Sequence, residues 1–126
     1  MIAVRRFALL LAILLSFSGY ASHSKMHAQL GQQVTLEGIA EARKLGAVLR
    51  GNDFEVWIDQ LQDWPRDHVG KRVRVTGVLE ERHDLPVFIR KPGEPVAAGI
   101  PVPEGTDLRN ASHRYIVRDA KWSLIR

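Results

Sequence analysis

Basic and aromatic residues in the second half of the chain could bind a negatively charged ligand. Cationic side chains alternate with valines in the segment 71–81, and the segment 113–124 combines basic and aromatic residues. If these segments pair as strands, their cations form a basic stripe, and a basic groove lined by aromatic rings can hold single-stranded nucleic acid. The residues predicted to bind a ligand on this surface are Trp57, Arg72, Arg74, Tyr115 and Arg118.

A structural interpretation of the basic stripe competes with the nucleic-acid interpretation. Arg and Lys often cover an exposed strand face with their aliphatic stems while aromatic rings fill the interior. The formal net charge is +4, and loss of Arg5 and Arg6 with a signal segment lowers it to +2. Such a charge gives a weak field for a polyanion. The structural interpretation is therefore favoured, and nucleic acid is not the expected partner.

Trp57 has two possible roles. Strict alternation places it on the strand face opposite Phe54, Val56 and Ile58. An exposed Trp beside carboxylates could stack on a sugar ring or a cation. A Trp that is packed beneath the Trp64–Pro65 dipeptide would instead form a second apolar cluster. The packed alternative is favoured, because inserts commonly cover one side of such a sheet.

Histidines and carboxylates are scattered through the chain without the spacing of a metal or catalytic motif. The chain has no Cys, no His-x-His or His-Glu-x-x-His run, and no Gly-x-Ser-x-Gly elbow. The adjacent Ser and His near position 112 are sequence neighbours rather than partners brought together by a fold. The candidate metal ligands are the side chains of His68, His83, His113, Asp67 and Asp84. The sequence therefore predicts no metal, no cofactor and a non-enzymatic protein.

The first 21 residues have the three parts of a secretory signal. A positively charged start precedes the apolar run 7–15, and small residues lead to Ala21, after which we expect the cut; Ser24 and Ala28 are alternatives. An uncleaved anchor is disfavoured because the run is shorter than the ~20 apolar residues that a spanning helix needs. We therefore expect a periplasmic or secreted protein with no stable membrane span after cleavage.

Short alternating segments follow a polar leader, 22–33, which we expect to be flexible. A Pro near the start and a Gly at the end predict a short helical turn at 63–70. Gly77 predicts a bulge in its strand, and several prolines predict a long loop at 91–112. Strands are predicted at 34–40, 47–50, 54–59, 71–81, 85–90 and 113–124.

This order of elements predicts an all-β domain over residues 34–126. Three strands, a short helical insert, a long bent strand and a final strand are typical of a five-stranded barrel of the oligonucleotide/oligosaccharide-binding (OB) type. An SH3-like barrel and an irregular sandwich are the alternatives.

Several motifs resemble those of a family of small exported bacterial proteins that is predicted to be OB-like and has no assigned activity. The resemblance covers about residues 33–82 and the final strand near Trp122, and it carries over no catalytic or binding residue. The motifs are Val34-Thr-Leu-Glu-Gly38, Lys44-Leu-Gly-Ala-Val48, Val56-Trp-Ile-Asp59, Trp64-Pro65 and Gly70-Lys-Arg-Val-Arg-Val-Thr-Gly77.

The sequence predicts a monomeric, exported OB-like module that binds a small polar ligand, a glycan or a protein in the bacterial cell envelope. Its expected working surface is the barrel face near Trp57, Arg72 and Arg74, with the loop 91–112 as a lid or contact arm. Binding of single-stranded nucleic acid through the basic, aromatic-lined face is the alternative function.

Overall fold

The computed structural model describes residues 23–94 and 98–126. The predicted signal peptide, 1–21, lies outside these residues. The described residues form seven strands and two short helices, which in chain order are α1 His23–Ala28, β1 Gln33–Arg43, β2 Gly46–Arg50, β3 Glu55–Ile58, β4 Arg72–His83, β5 Val87–Ile89, β6 Ile100–Val102, α2 Leu108–Ala111 and β7 His113–Leu124.

Five strand pairings close the main sheet on itself. The hydrogen-bonded order is β1-β2-β3-β7-β4, and β4 pairs back onto β1. Every pairing is antiparallel except that of β3 with β7, which is parallel and covers only Trp57↔Ile116 and Ile58↔Val117. The expectation of a small all-β fold is confirmed, and each of the five sheet strands lies where alternation predicted one.

Residues at alternate positions of the closed sheet point into a common core. In β1, Val34, Leu36, Gly38 and Ala40 are buried while the residues between them are partly exposed. Burial of such side chains removes apolar surface from water, which is the main favourable contribution to folding. Trp64 belongs to this core, donates its indole N–H to the carbonyl oxygen of Val48 over 3.0 Å, and contacts Trp122 edge-on.

Gly77 marks the predicted bulge in β4. The register of β4 against β7 shifts between Thr76 and Val78. A Cβ atom at Gly77 would lie 2.5 Å from a methyl group of Val117 and 2.7 Å from the carbonyl oxygen of Arg118. Only glycine allows β4 and β7 to approach this closely at the bend.

The segment 63–70 differs from the expected helical turn. The His68 amide donates to the Pro65 carbonyl, and the Lys71 amide donates to the His68 carbonyl. These two successive turns reverse the chain into β4 without forming a helix. The Gly70 amide then donates to the Ala40 carbonyl over 2.8 Å, so the chain joins the sheet before a longer helix can propagate.

The leader 22–33 also differs from expectation, because it carries α1. Met26 is 1% exposed and belongs to the core. The Gly31 amide donates to the Leu79 carbonyl over 2.7 Å. One buried side chain and this hydrogen bond hold the leader against the end of the closed sheet.

The connection between β4 and β7, residues 84–112, is called the arm, and residues 95–97 within it are not described. It contains β5, β6 and α2, where a loop was expected from residue 91 onwards. β5 and β6 pair in parallel, and Gly99 permits this because a Cβ there would lie 2.3 Å from the Pro86 oxygen. The Leu85 amide donates to the Ser112 carbonyl and closes the base of the arm.

Across residues 23–94 and 98–126, no helix is both long enough and apolar enough to span a bilayer.

Candidate functional site

A cleft of about 420 Å³ opens at the end of the closed sheet where α1 and the arm meet it. Its volume lies in the range of small-molecule sites, which is about 300–1,000 Å³. Its lining mixes apolar, aromatic and charged side chains, namely Met26, Arg43, Asp53, Phe54, Glu55, Trp57, Leu85, Ile100, His113, Arg114 and Tyr115.

The short parallel pairing of β3 with β7 creates this opening. The pairing begins at Trp57 and Ile116, so Glu55 in β3 and Arg114 in β7 have no ladder partner in the opposite strand. Antiparallel neighbours still hold the outer sides of both strands. The gap between the starts of β3 and β7 is therefore a rigid-walled recess.

Trp57 forms one wall of the cleft and is packed rather than exposed. It is 8% exposed and forms a small cluster with Val48 and Ile116. Leu45 and Leu85 pack against this cluster. The expected second apolar cluster is confirmed, but its position beneath Trp64 is wrong, because Trp64 turns into the main core.

Arg114 covers the ring of Trp57. Its guanidinium carbon lies 5.4 Å from the ring centroid, which is within the range of a cation–π contact. Asp84 accepts two hydrogen bonds from the same guanidinium, at 2.6 and 2.9 Å. The hydrogen bonds from Arg114 lower the pKa of Asp84 below its ordinary value. This contact joins the first residue of the arm to β7 and β3.

A second charged network lies at the β1–β3 side of the cleft. Arg43 donates to both carboxylate oxygens of Glu55, at 2.9 and 2.7 Å, and to Glu41 at 2.8 Å. Arg50 also donates to Glu41. The hydrogen bonds with Glu55 and then Glu41 raise the pKa of Arg43, and the hydrogen bonds from Arg50 and then Arg43 lower the pKa of Glu41. Both shifts favour the charged forms of Arg43 and Glu41.

A histidine cluster surrounds Glu81 at the α1 side of the cleft. His113 Nε2 lies 2.8 Å from Glu81 Oε2, and His27 Nδ1 lies 3.9 Å from the same oxygen. The His113 ring contacts the rings of His83 and Tyr115 edge-on, with centroid separations of 5.2 and 4.8 Å. The hydrogen bond with His113 is the largest cause of the lowered pKa of Glu81. Burial raises the pKa of Tyr115.

These imidazoles and carboxylates do not form a metal centre. Within the part of the chain that the structure describes, no three His, Asp or Glu side chains are arranged to hold a metal ion. Asp67 pairs with its neighbour His68 at 2.9 Å, away from the cleft lining.

The five residues predicted to bind ligand fall into two groups. Trp57 and Tyr115 line the cleft. Arg72 and Arg74 both bond to Glu37, at 3.3 and 2.9 Å, and Arg118 bonds to Glu80. None of these three arginines is among the lining residues of the cleft.

The structure separates Trp57 from the predicted arginines. The β7 neighbour of Trp57 is Ile116, and that of Arg74 is Ser123. A rise of about 3.3 Å per residue places these neighbours roughly 23 Å apart along the strand. The strands β4 and β7 do pair as expected, but carboxylates interleave with the cations of the stripe. The predicted face of Trp57, Arg72 and Arg74 is therefore not one surface, and ligand binding by these residues stays a prediction.

Sequence reasoning missed the positions of Arg114 and Arg43 beside the cleft. Both stand in alternating strand segments, but their contact with β3 depends on which strands pair and in which register. Comparison of the chain with models of known families, with curated proteins and with solved structures found no match.

Proposed function

We propose that this chain is an exported, non-enzymatic binding module with an OB-type barrel, and that its ligand occupies the cleft between β3, the start of β7 and the arm. The ligand class is a small polar molecule, a glycan or a protein segment of the cell envelope. The observation that carries the proposal is the cleft itself, where aromatic walls and fixed ion pairs converge in a recess of ligand size.

The strand order supports the OB-type assignment. The order β1-β2-β3-β7-β4 and the long connection between the last two barrel strands agree with a five-stranded, partly open Greek-key barrel. In such barrels, ligands bind on the face of the second and third strands and against the loops that adjoin it. Here β3 supplies Phe54 (at its start), Glu55 and Trp57 to the cleft, and the arm supplies Leu85 and Ile100.

The paired charges favour binding over catalysis. Arginine keeps its proton at any physiological pH, so the pairs of Arg114 with Asp84 and of Arg43 with Glu55 orient groups without exchanging protons. Their hydrogen bonds fix the cleft walls before a ligand arrives, which lowers the entropy cost of binding.

Export is supported by the signal-like features of residues 1–21, and the position of α1 bears on the site of the cut. A cut after Ala21 leaves α1 and the buried Met26 on the mature chain. A cut after Ala28 would remove Met26 from the core. The buried Met26 therefore favours a cut after Ala21, or after the alternative Ser24, over one after Ala28.

The experiment is a ligand screen read out by residue. The ¹⁵N-labelled protein, expressed from the full sequence with export, is titrated with maltotriose, single amino acids and blocked dipeptides while amide shifts are recorded. The proposal expects a saturable shift at Phe54, Trp57, Leu85 and Tyr115 for at least one of these probes. Shifts that cluster around Arg72 and Arg74 instead, or no saturable shift with any probe, would overturn it.

A further inference from the structure

The cations of the cleft are all engaged by carboxylates of the protein. Arg114 is bonded twice by Asp84. Arg43 is bonded twice by Glu55 and once by Glu41. An anionic ligand that approached either guanidinium would compete with a carboxylate that is already in hydrogen-bond contact.

One carboxylate of the cleft is not engaged in this way. Asp53, which is exposed and precedes β3, makes no hydrogen bond or ion pair with another described residue. Glu55, which also lines the cleft, accepts hydrogen bonds from Arg43, and its side chain is still 42% exposed. A positive group could therefore reach Asp53 and Glu55 without breaking a contact.

The local charge is also opposite to that of the whole chain. The lining side chains and the groups bonded to them include two arginines, Arg43 and Arg114. They include five carboxylates, namely Glu41, Asp53, Glu55, Glu81 and Asp84. The carboxylates therefore outnumber the guanidinium groups around the cleft, whereas the full chain has a formal net charge of +4.

Apolar side chains lie beside these carboxylates. Met26, Phe54, Leu85 and Ile100 line the same recess. A hydrocarbon group buried against them gains affinity in proportion to the apolar surface removed from water. A ligand with a positive head and an apolar body would use both kinds of surface at once.

From this arrangement we infer that the cleft takes an amphipathic cation, an ammonium or guanidinium group attached to an apolar or aromatic body, with Asp53 and Glu55 as the groups that receive its charge. This inference rests on the proposed function and names the ligand class of the same site. The cation is either a free small amine or a basic side chain beside an aromatic residue in a peptide.

The test uses three probes of equal linker length and different charge. These are 3-phenylpropylamine, 3-phenylpropan-1-ol and 4-phenylbutyrate, each titrated into the ¹⁵N-labelled protein at neutral pH and low salt. A fourth probe is the blocked dipeptide acetyl-Phe-Lys-amide. Tighter binding of the dipeptide than of 3-phenylpropylamine indicates a peptide ligand, and tighter binding of 3-phenylpropylamine indicates a free amine. The amine is expected to bind most tightly and the carboxylate least tightly, and added salt weakens the amine because exposed charges are screened over about 10 Å at 0.1 M.

Two variants locate the charge contact. Asp53→Asn removes a carboxylate that has no partner among the described residues, so the fold is retained. It weakens amine binding by about two- to fivefold, within the range for one exposed ion pair. Glu104→Gln, a change at an exposed carboxylate of the arm, leaves amine binding unchanged. Neither variant alters binding of the alcohol.

The outcomes separate the two proposals. Three results would overturn the cationic preference and leave the cleft as a binding site. They are equal binding of all three phenyl probes at the cleft, tightest binding of 4-phenylbutyrate, and unchanged amine affinity in the Asp53→Asn variant. Absence of any cleft shift with all four probes would overturn the ligand class, and the proposed site falls only if maltotriose, single amino acids and blocked dipeptides also give no saturable cleft shift.

Discussion

The guanidinium of Arg114 lies 5.4 Å from the ring centroid of Trp57, and Asp84 holds it there through two hydrogen bonds. Three parts of the chain meet in this contact: Trp57 comes from β3, Arg114 from β7 and Asp84 from the arm. The backbone ladder between β3 and β7 begins at Trp57, and Arg114 lies before it, where the two strands are not paired. Side-chain contacts therefore replace the missing backbone ladder, and they shape the wall of the cleft.

Removing the Trp57 ring is expected to destabilise the protein. Trp57→Ala takes away a side chain that is 8% exposed and leaves a space beside Val48 and Ile116, so we expect a loss of about 3 kcal/mol in the free energy of unfolding. Urea denaturation measures this loss. Trp57→Phe, which keeps a ring, is expected to lose less, and an unchanged unfolding midpoint for Trp57→Ala would contradict the packed position.

Two arginines provide a matched comparison. Arg114→Gln removes the contact with Trp57 and one partner of Asp84, and is expected to shift the Trp emission spectrum and lower the melting temperature. Arg74→Gln removes only an exposed contact with Glu37, so stability is expected to change by less than about 0.5 kcal/mol. Equal effects of the two changes on emission and stability would count against a special role for Arg114.

The paired arginines of the stripe also predict weak binding of nucleic acid. Arg72, Arg74 and Arg118 are each bonded to a carboxylate, so each phosphate contact would replace an existing ion pair. Titration with single-stranded oligo-dT at low salt is expected to leave Trp fluorescence flat. Quenching that saturates and falls steeply with salt would revive the nucleic-acid function.

Met26 predicts which signal-cleavage site yields a stable mature protein. Met26→Ala is expected to cost about 2–5 kcal/mol of unfolding free energy, because the side chain is fully buried in the core. The intact mass of the exported protein is expected to correspond to a chain that begins at Ser22. If the natural mature chain begins at Gln29 and melts at the same temperature as a chain that begins at Ser22, α1 is dispensable and this prediction is wrong.

The lowered pKa of Glu81 gives stability a defined pH dependence. The pKa lies below its ordinary value of 4.5 in the folded state, chiefly because of the hydrogen bond with His113. The ionised carboxylate therefore contributes stability that is fully present above about pH 4.5 and is lost as the pH falls through the folded-state pKa. Glu81→Gln is expected to reduce the difference in unfolding free energy between pH 6 and pH 3 relative to Glu104→Gln. Identical pH profiles for the two variants would contradict this contribution.

Alternation was enough to predict the strands of the closed sheet. Val34, Leu36 and Ala40 occupy the interior because side chains of a strand alternate between its faces, and Gly77 marks a bulge because no larger residue fits beside Val117. The arm was harder to predict. Pro101 interrupts the pattern of β6, and α2 is a four-residue helix, too short to show a helical period.

The candidate site could be predicted only in part, because it depends on how distant strands pair. Trp57 and Tyr115 could be identified as aromatic residues of two strands, but their meeting in one cleft depends on the parallel register of β3 against β7. The position of Arg72 and Arg74 at a distance from Trp57 depends on the same register. Nothing local in the sequence specifies a contact across such a separation.

Fluorine NMR of the protein labelled with 5-fluorotryptophan tests the central claim most directly. The chain has three Trp residues, and a Trp57→Phe sample assigns the resonance of the cleft ring. Addition of 3-phenylpropylamine is predicted to shift the Trp57 resonance to saturation and to leave those of Trp64 and Trp122, which contact each other in and beside the core, unchanged. A Trp57 resonance that does not move, or that moves no more than that of Trp122, would contradict the claim that this cleft is the ligand site.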